Sequence, residues 1–209
     1  MNESDSLTNQ FLIAMPALGD PNFFHTVTLI CEHTDEGALG LIINRPLDIR
    51  VSDIFSQMAR GDDDGDENGD AGDEDVDSDS EARPAITIEN DQHVLLGGPV
   101  HQERGFVLHR PFGDWDNTLR LSDTLGLTTS RDILDAIATG NGPDDELIAL
   151  GCAGWGAGQL EQELSENAWL SVPATEELIF ETPFDDRWAA SARLLGVDLN
   201  SLSREAGHA

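Results

Sequence analysis

The sequence predicts an α+β fold in a single domain spanning residues 1–209. Three observations predict it. Apolar residues alternate in hairpin-like pairs near the N-terminus, well-signalled helices occur later, and the two do not alternate regularly as in a doubly wound parallel sheet. A chain of 209 residues with 39% hydrophobic content builds one sizeable core and carries an extra polar segment.

The elements follow in order. "QFLIAM" (10–15) reads as a buried strand ended by Pro16, and "GDPNFF" (19–24) as a short helix start with Asp20 as cap and Pro21 in the first turn. "HTVTLICEHT" (25–34) alternates, so Val27, Leu29, Cys31 and His33 share one face. With "EGALGLIINRP" (36–46) it makes a hairpin. "VSDIFSQMA" (51–59) is a short helix with Ile54, Phe55 and Met58 inward. Strands resume at 93–100, 105–111 and 118–123. "TTSRDILDAIATG" (128–140) is a helix with a Thr129–Asp132 capping box and Gly140 as its stop. "ELIALGCAG" (146–154) is a buried strand and "QLEQELSENAWL" (159–170) a helix. "EELIFE" (176–181) is a strand, and 185–196 is the last helix, capped by Asp185 and stopped by Gly196. "GLIINRPL" (40–47) and "GFVLHRPF" (105–112) echo one another, which we read as similar turn chemistry at two strand ends.

The net charge is −30, and the chain contains no lysine or tyrosine. Residues 61–82 hold twelve of the 41 carboxylates, and the other 29 still face only 11 arginines. Such a chain repels nucleic acid and anionic membrane. The reading is a halophilic surface suited to a salt-rich cytosol, where the screening length falls to roughly 3 Å at 1 M. The segment 61–83 has almost nothing apolar to bury and reads as a disordered acidic insertion. The N-terminus "MNESDSLTNQ" lacks a secretory pattern, no apolar run is long enough for a membrane span, and two cysteines do not make a disulfide framework. The expected location is cytoplasmic.

"GCAGWGAGQLEQEL" (151–164) invites three readings. As a phosphate cradle it fails: position 159 is Gln rather than the third glycine of a dinucleotide fingerprint, no lysine exists, and Glu161 and Glu163 would repel an anion. As a nucleophile, Cys152 lacks an elbow motif, and a small buried residue at a strand end explains it better. The remaining reading is a strand–turn–helix plugged by Trp155, with Leu160 and Leu164 inward and Glu161, Glu163 and Glu166 exposed. Cys31 and His33 alone do not make a zinc site. Asp64, Asp66, Asn68, Gly69, Asp70 and Asp73 imitate an EF-hand loop, but the twelfth position is Asp75 and no amphipathic helix flanks it. No metal site or cofactor is expected.

The segments 11–47, "LLGGPVHQERGFVLHRP" (95–111), "LTTSRDIL" (127–134), 151–170, "TPFDDRW" (182–188) and the terminal "AGHA" closely resemble the YqgE/AlgH family of bacterial proteins. The resemblance implies a branched, partly barrel-like mixed sheet surrounded by helices. It implies no established enzymatic activity, and one branch of the family carries the label of a transcriptional regulator. Relatives tolerate tyrosine at 152, which weakens a catalytic Cys152, and they also tolerate lysine at 45. The expectation is a regulatory or adaptor protein with no catalytic residues, whose partner is a protein or small molecule. Direct nucleic-acid or membrane binding is not expected. The rival is a small-molecule binder or enzyme built on Arg104, Arg131, Trp155, Gln159, Glu161 and Glu163. Asn44 and Arg45 complete the set of candidate binding residues. Each has a plain structural alternative as a cap, an ion pair or a turn plug.

Overall fold

The computed structural model describes residues 6–61 and 92–197. The acidic segment 61–83, apart from Gly61, and the EF-hand-like spacing within it lie outside the described residues. So does the terminal "AGHA".

Among the described residues, ten strands form one mixed, curled, branched sheet: β1 (Gln10–Ala14), β2 (Val27–Thr34), β3 (Gly37–Ile42), β4 (Pro46–Arg50), β5 (His93–Leu96), β6 (Val100–Arg110), β7 (Thr118–Arg120), β8 (Gly126–Thr128), β9 (Asp145–Gly156) and β10 (Trp169–Pro173). The main path runs β10-β1-β2-β3-β9-β6-β8-β7. The branch arises on the long β9. Ala149 and Leu150 pair in parallel with β5, whereas Ala153–Gly156 pair antiparallel with β3. The helices are α1 (Val51–Gly61), α2 (Arg131–Ala138), α3 (Gln159–Ser165) and α4 (Phe184–Leu194).

The curl creates separate apolar layers. The largest packs Phe11, Leu29, Leu41, Leu108 and Ala149 beneath α4. A second gathers Leu12, Ile30, Trp155, Leu160 and Trp169 under α3. A third holds Val51, Phe55, Val107, Ile133 and Ile148 between α1, α2 and the sheet. The predicted 25–46 hairpin is present, but its facing changes midway. A β-bulge between Ile30 and Glu32 inserts one residue, so His33 pairs with Ala38 on the α3 side, away from Cys31.

Other expectations change with tertiary context. Residues 21–25 form a turn rather than a helix, with Asp20 Oδ1 accepting the Asn22 N–H at 2.8 Å. Residues 126–128 form a third strand beside β6 and β7. The cap of α2 is Ser130, not a Thr129–Asp132 box; the Asp132 carboxylate accepts the Ser130 hydroxyl and the Asp116 N–H instead. The helix predicted for 159–170 ends at Ser165, because Trp169–Pro173 pair with β1 as a sheet edge. Glu177–Glu181 form a π-helical turn that buries Leu178 and Ile179, not a strand. Pro183, not Asp185, precedes α4. The two Arg-Pro echoes differ, since Pro46 opens β4 whereas Pro111 follows the end of β6.

Candidate functional site

The glycine-rich stretch is a strand, a turn and a helix. Gly158 sits at φ +74°, a left-handed conformation that suits glycine, and α3 starts directly after it. The turn brings Trp155 back against α3. The indole N–H groups of Trp155 and Trp169 both donate to Glu163 Oε2, at 2.9 and 2.8 Å, and Gln159 Nε2 donates to Glu163 Oε1 at 2.8 Å. Phe23 stacks on Trp155 and meets Trp169 edge-on at 5.4 Å. Trp155 and Trp169 are almost fully buried. Glu163, expected to be exposed, is half-buried and engaged by three donors. It is a structural clasp whose acceptor capacity is largely used.

Glu161 serves a second clasp. Buried His33 accepts the Leu7 N–H at Nδ1, which leaves the proton on Nε2, and Nε2–H donates to Glu161 at 3.1 Å. This ties the N-terminal approach to β1 onto α3.

Arg104 and Arg131 have separate partners. Arg131 lines a cavity of about 340 Å³ between α1 and α2, together with Ile54, Met58, Glu103 and Leu134, and pairs with Asp135 at 3.6 Å. Arg104 is not in that lining; it lies 5.6 Å from the Phe106 ring centre and donates at 3.2 Å to Oγ1 of Thr129, a residue at the edge of the same cavity.

Asn44 and Arg45 stand at a third place, the corner where the loop before β2 meets α4. Asn44 Oδ1 accepts the Val27 N–H at 2.8 Å and its Nδ2 donates to the His25 carbonyl at 2.9 Å. Arg45 Nη2 donates to the Pro21 and Phe24 carbonyls at 3.2 and 2.9 Å. The corner also contains residues the sequence reading did not single out. His25 is sandwiched between Phe24 and Trp188, with ring centres 3.9 and 4.0 Å away. Arg187 is buried beside Phe184 and donates to the Thr182 and Ile43 carbonyls; burial lowers its pKa to about 10. The available signal was that "GDPNFFHT", "NRP" and "DDRW" all lie in segments carrying the family resemblance, and these three segments meet here.

Cys152 is buried, and desolvation raises its thiol pKa, opposed by the charge of Arg104. Cys31 is raised by complete burial, with smaller contributions from Cys152 and Glu32. Both are free thiols. Among the described residues no group of three or more His, Cys, Asp or Glu is placed to hold a metal. Among them, too, no helix is long and apolar enough to cross a membrane.

Comparison with known proteins agrees with this architecture. Residues 11–200 match the family model described as AlgH-like. A UPF0301 protein of Nitrosococcus oceani is 54% identical over 201 residues, covering 96% of each chain. A UPF0301 protein of Thioalkalivibrio sulfidiphilus is 48% identical over 209 residues, covering 100% of both. The solution structure of the AlgH protein from Pseudomonas aeruginosa superposes with a TM-score of 0.72 at 42% identity, over 100% of this chain and 99% of that one. A Corynebacterium diphtheriae protein shares the fold, with a TM-score of 0.67 at 20% identity over 95% and 92% of the two chains. With its α+β fold, its branched sheet and these matches along nearly its whole length, the chain belongs to the AlgH-like family.

Proposed function

We propose that this protein is a non-enzymatic cytoplasmic regulator or adaptor that acts by binding a partner. The observation that supports this reading is the dispersal of its candidate polar groups. Trp155, Gln159 and Glu163 satisfy one another, Glu161 is tied to His33, and Arg104 does not line the cavity that Arg131 lines. An enzyme needs a nucleophile, base or electrophile converging on one concavity. The rival reading, an enzyme or binder built on those six residues, has less support because they do not share a cavity. Regulation by direct DNA contact is also disfavoured, because a chain of net charge −30 lacks a basic footprint. A regulatory role would act through protein contacts.

The test is to incubate the purified chain with a small-molecule cell extract in high salt and follow metabolites by mass spectrometry. No protein-dependent conversion is expected. Conversion that scales with the protein and disappears in the Arg104→Ala/Arg131→Ala double variant would overturn the reading. A stoichiometric partner from native cytosol, retained by that variant, is the positive expectation.

A further inference from the structure

We propose that the cleft bounded by the 16–24 loop and Arg45 binds a small organic carboxylate with an apolar, planar body. The proposal goes beyond the adaptor reading and does not depend on it.

The cleft has a volume of about 620 Å³ and is lined by Pro16, Ala17, Leu18, Gly19, Pro21, Phe24 and Arg45. That volume suits a small molecule, and the mix of apolar wall and single polar anchor is what such sites use to hold and orient one. Arg45 is the only ionisable group in the lining. Among the described residues Arg45, Arg104, Arg187 and Arg193 have no carboxylate partner, and of these only Arg45 lines this cleft. Arg110 has three carboxylates, while Arg120 and Arg131 have one each. Arg45 has none within ion-pair distance among the described residues. Its Nη2 is committed to the Pro21 and Phe24 carbonyls, which fixes the guanidinium plane. Nε and Nη1 have no protein acceptor among the described residues. They are the donors available to an anion entering the cleft, where a charge-assisted hydrogen bond is favoured.

The aromatic wall is equally fixed. Phe24 is 37% exposed, and one of its faces is taken by His25, which is backed in turn by Trp188. The rest of the Phe24 ring is left for a ligand. His25 adopts φ +56°, an uncommon conformation for a residue with a side chain, and Asn44 holds its carbonyl. Such local strain persists where surrounding contacts impose it, and it concentrates at binding sites. Here the contacts come from Asn44, Arg45 and Trp188, and their joint effect is to present Phe24 beside Arg45.

The chemistry selects the ligand. One guanidinium compensates one negative charge, so a monoanionic carboxylate fits better than a phosphate dianion, which needs further cations or a nest of amides. A cationic ligand would face Arg45 directly. A polynucleotide, with many phosphates, would be repelled by the net charge of −30 that one arginine cannot offset.

The experiment measures binding of 3-phenylpropionate, 3-phenylpropylamine and inorganic phosphate to the full chain by ligand-observed NMR at pH 7 and 0.2 M KCl. The expected result is saturable binding of phenylpropionate, at least tenfold tighter than the amine and not displaced by equimolar phosphate. Ala17→Glu places a like charge in the cleft without touching the Arg45 clasp. It should weaken phenylpropionate at least tenfold with an unchanged Tm. Phe24→Ala should weaken it several-fold while the fold is retained. Equal binding of the amine, displacement by phosphate, absence of saturable binding, or affinity unaffected by Ala17→Glu would each overturn the proposal.

Discussion

Trp155 and Glu163 are joined by an indole N–H to carboxylate hydrogen bond of 2.9 Å, and the same oxygen also takes the Trp169 indole at 2.8 Å. One side chain on α3 thereby fastens the end of β9 to the start of β10. Glu163→Ala would leave two buried donors without an acceptor, each costing about 1–3 kcal/mol. We expect a loss of about 2–4 kcal/mol, seen as a clear fall in Tm. Glu161→Ala should cost less, about 1–2 kcal/mol, because it strands one buried donor, the His33 Nε2–H, rather than two, and the Glu161 carboxylate is itself 46% exposed. Thermal unfolding of the two variants side by side checks the order, and equal losses would contradict the clasp.

Arg110 collects Asp145 at 2.7 Å and Glu176 and Glu181 at 3.2 Å each. These contacts raise its pKa, so it stays charged. Arg110→Gln leaves three carboxylates facing one another. The expected cost is about 2–3 kcal/mol at 0.1 M KCl, falling as the screening length shrinks from roughly 10 Å to roughly 3 Å at 1 M. The parent chain should itself gain Tm from 0.1 M to 3 M KCl, because its folded surface concentrates like charge. A salt-independent Tm would argue against the salt-adapted surface, and a salt-independent cost of Arg110→Gln against the ion-pair role.

Glu146 lies half-buried on β9 opposite His109, and burial followed by the charge of Asp145 raises its pKa to about 7. The folded value exceeds the unfolded 4.5, so the folded chain holds this proton more tightly. Its contribution to stability is complete below about pH 4.5 and is lost as pH rises through about 7. Glu146→Gln, neutral throughout, should match the parent near pH 4.5 and exceed it at pH 8 by about 1 kcal/mol after allowance for solvent. Urea titrations at the two pH values measure this. A destabilised variant at pH 8 would show that the carboxylate is stabilised rather than strained.

Cys31 and Cys152 are both buried with raised thiol pKa values, so neither thiolate is available at neutral pH. A thiol reagent at pH 7 should label neither until denaturant is added. Rapid labelling of native Cys152 would reopen the nucleophile reading.

The sequence by itself determined the α+β class, the hairpin of β2 and β3, the helices α1, α2 and α4, and the family, because hydrophobic period and turn residues act locally. It placed Trp155 as a plug, and it named Asn44 and Arg45. The side of the sheet on which His33 lies depends on a single inserted residue, and the bulge appears only once β3 sets the register. Trp169 follows a helical pattern but pairs with β1, since an open sheet edge gains more from a strand than from another turn of helix. Residues 177–181 carry a strand-like composition yet coil into a π-helical turn that buries Leu178 and Ile179. The role of Glu163 and the meeting of Arg45 with Phe24, His25 and Trp188 were decided by tertiary structure alone. The Glu163 donors are only 4 to 8 positions away but sit on three different elements, and Arg45 meets Phe24 21 positions away; no local propensity records which donor or ring the folded chain brings to a given side chain.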